Sequence, residues 1–350
     1  MYMKLFDQIF KSNKKESADL TTIVRTEIVE GLSIPGIIHN IQYHLTDIQV
    51  YKDGLVSCWE MVDLPMFKNK LNEGWVVTSI PDGAPISIFN LGHWNIEKGK
   101  WKHSRKTFYE YVYSLVKQLN PRLKNLHNYN GSNSKKVVGS KVKVTKHSTP
   151  DPKPYHLDDP NSFFPDKLTG EKFRFFYRND DTKTYLVELS IYKNGRVEIT
   201  SLPERKIYQF EELDALVENE ILVTELRVGE TVTILNLGSF KIIDGNGIDI
   251  KYKLNEVKDK LNELNGSENS IAKCARIFEE YKKNPTKKLR DELKQAYEVV
   301  PEHKRIFVGT MDTKDYEVRQ VIYGDIVKSK WEEYYGFEYP FDDMPKPTDE

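Results

Sequence analysis

The chain has 350 residues, with 52 basic and 53 acidic side chains and a net charge of −1, so no global field points to nucleic acid or to an anionic membrane surface. At 39% hydrophobic and 30% charged residues it is composed as an ordinary globular protein, and it is too long for one small core; two or three domains are expected. Its two cysteines, Cys58 and Cys274, lie far apart without metal-ligand spacing, which suits a reducing compartment and argues against a disulfide framework.

The stretch Met1 to Phe10 has neither a long apolar run nor a small-residue cleavage site, and it reads as a short amphipathic helix opening an N-terminal arm, residues 1–31. No apolar run approaches the roughly 18 residues that a membrane span needs. A cytoplasmic protein with no membrane partner is expected.

An internal repeat follows. Asp47 to Val56 matches Glu188 to Val197: alternating apolar residues, then Asp53-Gly54 or Asn194-Gly195, then alternation again, which is a hairpin signal because both turn residues must reach positive φ. Ile86 to Ile96 matches Val232 to Ile242 around Asn90-Leu91-Gly92 and Asn236-Leu237-Gly238. The glycines there are expected to supply positive φ, and the asparagines to bond the local backbone. Between these blocks each copy holds a helix-like stretch (Leu64 to Leu71; Phe210 to Val217) and a strand (Val76 to Ile80; Ile221 to Glu225). Each copy opens with another strand, Ile37 to Tyr43 or Lys172 to Tyr177, and closes with a helix, Ser104 to Leu119 or Leu254 to Leu264. The predicted fold class is α+β: a tandem duplication of a mostly antiparallel sheet-plus-helix unit, copy 1 at residues 32–126 and copy 2 at 161–266.

Residues 127–160 between the copies are rich in Asn, Ser, Gly, Pro and Lys (Lys135, Lys136, Lys141, Lys143, Lys146, Lys153) and read as a basic linker. Residues 267–350 read as a small helical region: helices over Ile271 to Tyr281, Lys287 to Val299 capped by Thr286, Thr313 to Tyr323 and Ile326 to Tyr335, then an acidic, proline-punctuated extended tail.

Two stretches resemble segments of uncharacterised bacterial proteins: Asp47 to Trp59 with Gly74-Trp75-Val76-Val77, and Ala296 to Arg305 with Met311 to Asp315. The resemblance implies a bacterial source. It implies no activity, so no functional residue follows from it.

Chemistry-bearing patterns are sparse. The sequence holds no phosphate-binding glycine loop, dinucleotide fingerprint, nucleophile elbow or Cys-x-x-Cys, and no metal or cofactor is expected. His39 and His44, read on one straight strand, fall on opposite faces, so a shared metal is not expected. The densest polar constellation is Glu302 to Arg305 with Asp312 and Asp315; a histidine beside carboxylates can do general acid–base work. The main asymmetry between the copies lies in the tryptophans, four of five in copy 1. Trp94 aligns with Phe240 and Trp101 falls near Ile248, so both read as core. Trp59 aligns with Thr200 and Trp75 falls near Glu220, so the Leu55, Ser57, Trp59 face is apolar where copy 2 has Arg196, Glu198, Thr200. Leu55, Trp59 and Trp75 are therefore expected to be covered, either within the chain or by a protein partner, and the copy-2 face to meet solvent.

The leading expectation is a non-enzymatic bacterial interaction module of immunity or phage-defence type. One alternative is an enzyme using His303 with Asp312 and Asp315 as acid/base groups. Another is a nucleic-acid binder acting through the basic linker.

Overall fold

The computed structural model describes residues 29–129, 134–138, 141–144, 152–159, 161–179, 183–324, 326–336, 338 and 344–348. The helix expected at Met1 to Phe10 lies outside the described residues.

Copy 1 opens with a hairpin of β1 (Gly31–Asn40) and β2 (Gln42–Tyr51), paired from Gly31 opposite Tyr51 to Asn40 opposite Gln42. The expected strand Ile37 to Tyr43 thus straddles a reversal at Ile41, which turns at φ 64°. Apolar alternation does not register a single-residue turn. The Asp53-Gly54 turn leads into β3 (Val56–Ser57) and β4 (Met61–Val62), with Gly54 at φ 81°. Helix α1 (Leu64–Glu73) is capped by Asp63, whose side chain accepts from the Met66 amide, and β5 (Val76–Val77) returns against β1. Strand β6 (Pro85–Ile88) lies parallel to β2 and forms a hairpin with β7 (Gly92–Trp101). Helix α2 (Arg105–Leu119) starts in a Ser104/Thr107 capping box and buries Phe108, Val112 and Val116, spaced four apart on one face.

The segment after α2 is fastened to the first hairpin. The His127 amide donates to the Asp53 carbonyl at 2.8 Å, and the buried His127 Nε2 lies 3.3 Å from Asp53 Oδ2. Here β8 (His127–Tyr129), β9 (Ser134–Val138) and β10 (Lys141–Val144) form a three-stranded antiparallel sheet where an irregular linker was expected. Val137, Val138, Val142 and Val144 supply the strand propensity that the basic composition masks.

Copy 2 repeats the design after a short strand β11 (Tyr155–Leu157). It comprises β12 (Lys167–Asn179), β13 (Lys183–Tyr192), β14 (Arg196–Thr200), β15 (Lys206–Gln209), a 3-10 turn and α3 (Leu213–Glu218), β16 (Leu222–Val223), β17 (Thr231–Ile234), β18 (Gly238–Gly247) and α4 (Ile250–Leu264). The equivalence is one of register. Tyr43 opposite Ile86 recurs as Thr184 opposite Val232, Ile88 opposite Gly92 as Ile234 opposite Gly238, and Ile38 opposite Val76 as Tyr177 opposite Leu222. The closing helices end alike: the Asn120 side-chain Nδ2 donates to the Lys52 carbonyl (3.0 Å), and the Asn265 Nδ2 to the Lys193 carbonyl (2.9 Å). Both Asn-Leu-Gly turns adopt positive φ, at Asn90 (55°) and Asn236 (67°) as well as at the glycines. Asn236 also reaches beyond its turn, its Oδ1 accepting from Lys102 Nζ at 3.2 Å.

Contacts divide the chain into two units that do not follow the copies: residues 1–153, 179–186 and 226–246, and residues 154–178, 187–225 and 247–350. The first has strand order β5-β1-β2-β6-β7-β18-β17-β13, so a copy-2 hairpin completes the sheet of copy 1. In it the Trp101 ring stacks on Phe240 at 6.4 Å, and a methyl on Gly238 would stand 2.4 Å from the Lys100 carbonyl oxygen.

The second unit joins β11, β12, β14, β15 and β16 with α3, α4 and a helical region: α5 (Ser270–Lys283), α6 (Lys287–Val299), a 3-10 turn (Glu302–Phe307), α7 (Tyr316–Tyr323) and α8 (Ile326–Tyr335). Cys274, Ile277, Phe278, Tyr281, Leu293, Tyr297 and Val318 belong to the core of that helical region. The tail expected to be extended is docked over its described part. Tyr281 donates to the Pro345 carbonyl at 2.7 Å, the Thr348 amide to that of Pro285 at 2.7 Å, and Met344 packs on the helical core.

Two glycines at positive φ separate backbone strain from close approach. Gly74→Ala, at φ 80° with nothing near its missing methyl, should cost about 1 kcal/mol. Gly238→Ala adds overlap with a backbone oxygen and should cost about 3 kcal/mol or more. Urea midpoints measure both; equal losses would mean that β18 does not approach β7 this closely.

Candidate functional site

The aromatic residues of copy 1 gather through two short-range devices. Helix α1 ends at Gly74, left-handed at φ 80°, and the Trp75 amide then donates to the Lys70 carbonyl at 3.0 Å. This delivers Trp75 directly beside β1, where its carbonyl accepts from the His39 amide at 2.9 Å. The second device is the three-residue turn joining β3 to β4, Cys58-Trp59-Glu60, in which Trp59 adopts φ 68° and the Cys58 amide donates to the Glu60 carbonyl at 3.0 Å.

The Trp75 indole N–H donates to the Cys58 carbonyl at 3.0 Å and so braces that turn. The Trp59 and Trp75 rings meet edge-on, with centroids 6.0 Å apart and planes at 80°. His44 lies 5.1 Å from Trp59. Lys70 Nζ stands 5.1 Å over Trp75 and pairs with Glu60 at 2.6 Å. Trp59 is 49% exposed, Trp75 is half-buried, and Leu55 is fully buried. Burial pushes the Cys58 thiol up to about 12, against the smaller opposing pull of Lys70, so it is inert as a nucleophile at neutral pH.

Leu55 is covered within the chain, fully buried in the core. Other expectations need correction. The copy-2 face meets solvent only in part: Glu198 is buried and held by Arg196 (2.8 Å) and Arg205 (3.2 Å), while Arg196 and Thr200 remain partly exposed. The pairing of Trp59 with Thr200 also fails, because Thr200 is still in β14 and the left-handed residue of that longer hairpin is Ser201, at φ 63°. The five extra residues of copy 2 fall in this hairpin, since Val56 faces Val62 but Val197 faces Tyr208. The alignment of Trp94 with Phe240 holds, both being buried. His39 and His44 lie on two strands, not one: His39 stacks on Tyr43 at 4.4 Å, while His44 joins the tryptophans. His44, Glu60 and Lys70 were not legible as neighbours of Trp59, because no local spacing signals a meeting of β2, a turn and a helix.

The structure disperses the acid–base constellation. His303 Nε2 lies 2.8 Å from Glu256 on α4, not beside Asp312 or Asp315. Glu256 is buried and also receives Lys253 at 2.8 Å and Lys304 at 3.7 Å. Burial lowers the affinity of the Lys253 ammonium for its proton, and Glu256 opposes that shift. Asp315 is buried and accepts the Tyr297 hydroxyl, whereas Asp312 is exposed. Among the described residues no group of three or more His, Cys, Asp or Glu side chains is gathered as a metal site, and no helix is long and apolar enough to cross a membrane. A cavity of about 400 Å³ in the helical region is lined by Tyr281, Arg290, Gln320, Tyr323, Met344 and Lys346.

Residues 20–123 and 159–268 each match one family model, described as a domain of unknown function (DUF7638), which sets the duplication on independent ground. Residues 269–333 match a second domain of unknown function (DUF7639). No curated protein and no solved structure matches the chain.

The two tryptophans should separate by stability. Trp75→Phe removes the donor that braces the turn and should cost about 1–2 kcal/mol, whereas Trp59→Ala should cost less than about 1 kcal/mol. Denaturant titration checks this, and the reverse order would mean that Trp59 is the structural ring. Glu256→Gln removes the buried carboxylate that Lys253, His303 and Lys304 share, and a loss of about 3–5 kcal/mol is expected. A shift in melting temperature no larger than that of a surface control would show Glu256 to be dispensable.

Proposed function

We propose that this chain, which belongs to the DUF7638 family, is a non-enzymatic protein-interaction module whose contact surface centres on Trp59 and Trp75 of copy 1. The observation that carries the reading is Trp59 itself: a large indole, half in solvent, on a left-handed backbone that costs a non-glycine residue about 1–2 kcal/mol. Neighbouring contacts hold it there. Trp75 braces the turn from below, His44 flanks the ring, and the Lys70–Glu60 pair rims the cluster with charge. An apolar anchor with a polar rim is the arrangement of an interface hot spot. Copy 2 has no such cluster and places the buried Glu198 carboxylate with Arg196 and Arg205 in the corresponding hairpin, so this tryptophan surface belongs to copy 1 alone. The engagement of His303, Asp315 and Glu256 in structural contacts supports a non-enzymatic reading. The setting proposed with it, a bacterial cytoplasm and an immunity or phage-defence role, rests on the sequence and is tested by the neighbouring genes.

Trp59→Gly relieves the left-handed strain while removing the indole. It should leave the melting temperature unchanged or slightly raised and weaken partner binding by more than about 2 kcal/mol. Affinity capture from the source organism with wild-type and Trp59→Gly chains, followed by calorimetric titration of any purified species that depends on Trp59, measures this. Full retention of every captured species by the variant would rule out the surface, and a large fall in melting temperature would make Trp59 a structural ring.

A further inference from the structure

A second exposed aromatic feature lies in copy 2, away from the tryptophan cluster in sequence and independent of the reading above. Between β11 and β12 the chain runs Asp158-Asp159-Pro160-Asn161-Ser162-Phe163-Phe164-Pro165-Asp166. The loop closes where the Asp158 amide donates to the Asp166 carbonyl at 2.9 Å, one step beyond the Leu157–Lys167 pair of the hairpin. Inside it, the Ser162 amide donates to the Asp159 carbonyl (3.0 Å), that of Asn161 to Asp159 Oδ1 (3.0 Å), and that of Phe164 to Ser162 Oγ (3.2 Å). The backbone is thus tied down just where two phenylalanines project. Phe163 is 98% exposed and Phe164 89%, although nothing in a turn of this kind requires an aromatic residue.

The surroundings are acidic. Asp158, Asp159 and Asp166 flank the rings, and the loop holds no basic residue. Asp158 and Asp159 bond to amide groups, and no cation among the described residues pairs with any of the three. Lys167, the next residue, turns its ammonium onto the Tyr155 ring at 3.7 Å. Two adjacent apolar anchors flanked along the chain by carboxylates fit a cleft of opposite design, and the carboxylates oppose insertion among lipid phosphates.

We propose that the Phe163-Phe164 loop is a docking element for a protein partner that presents an apolar cleft edged by lysine or arginine side chains. The phenylalanines anchor in the cleft, and the carboxylates steer the approach and set its salt dependence.

The test places a photo-crosslinking benzoylphenylalanine at position 163 of the full chain in cells of the source organism and identifies the cross-linked peptide by mass spectrometry. The expected result is a discrete adduct to another protein, joined at an apolar site bordered by basic residues. Mixed back as purified components, that protein should bind Phe163→Ser/Phe164→Ser at least tenfold more weakly. It should bind Asp158→Lys/Asp166→Lys at least fivefold more weakly at low salt, with the second difference shrinking at high salt. Trp59→Gly should leave this affinity unchanged, which keeps failure here distinct from failure of the Trp59 surface. Both double variants should keep the wild-type circular dichroism and nearly the wild-type melting temperature, because all four side chains are exposed and Asp158 loses only an exposed hydrogen bond from Asn194. A cross-link only within the chain or to a second copy, binding indifferent to the charge reversal, no adduct at all, or flotation of the wild-type chain with anionic lipid vesicles would each overturn the proposal.

Discussion

Gly238 and Gly245 have no room for a methyl group, and much of the first unit follows from that. A Cβ on Gly238 would stand 2.4 Å from the Lys100 carbonyl oxygen, and one on Gly245 would stand 2.3 Å from the Trp94 ring. The close approach lets β18 lie beside β7, so the hairpin of copy 2 completes the sheet that copy 1 begins. Side chains then join along the seam: Trp101 on Phe240, Asn95 with Asp244 at 2.6 Å, Lys241 with Glu97 at 2.7 Å. The duplication therefore did not produce two independent beads. A sheet edge that would otherwise stand open as a template for pairing is covered by the chain's own second copy.

On this shared frame the copies diverge at one hairpin. Copy 1 makes the crossing in three residues and holds Trp59 left-handed; copy 2 takes five residues more and keeps an extended strand through Thr200. The interior adjusts accordingly. Leu55 fills in copy 1 the place that Arg196 holds in copy 2, where Glu198 and Arg205 complete an ion pair. Only the Glu198 carboxylate of this set is buried, and without its arginines that charge would stand unneutralised. The exposed turn tip at Trp59 carries no such constraint.

The groups that look most chemical in the linear sequence fasten the helical region. Glu256 on α4 collects Lys253, His303 and Lys304, tying the 3-10 turn after α6 to the closing helix of copy 2. Tyr297 and Asp315 join α6 to the start of α7. A buried carboxylate has to be met by donors, and basic residues close in sequence to an acid need not be its partners in space.

The duplication was legible because it rests on local rules. Turn glycines, period-two alternation and capping residues such as Ser104 and Thr286 act within a few residues, and each left its mark in both copies or at a helix start. The α+β class and the helical C-terminal region follow from the same signals. The single-residue reversal at Ile41 escaped because it leaves alternation intact, and the β8–β10 sheet because lysine content outweighed the valine pattern. The tryptophans marked copy 1 as unusual, but burial of Leu55, exposure of Trp59, and the meeting of Trp59 with His44 and Trp75 were set by packing among segments up to 31 residues apart. The partners of His303 and the crossing of β17 and β18 into the first unit were likewise decided only in three dimensions. Local backbone preferences are written residue by residue; which side chain meets which depends on where whole strands and helices come to rest.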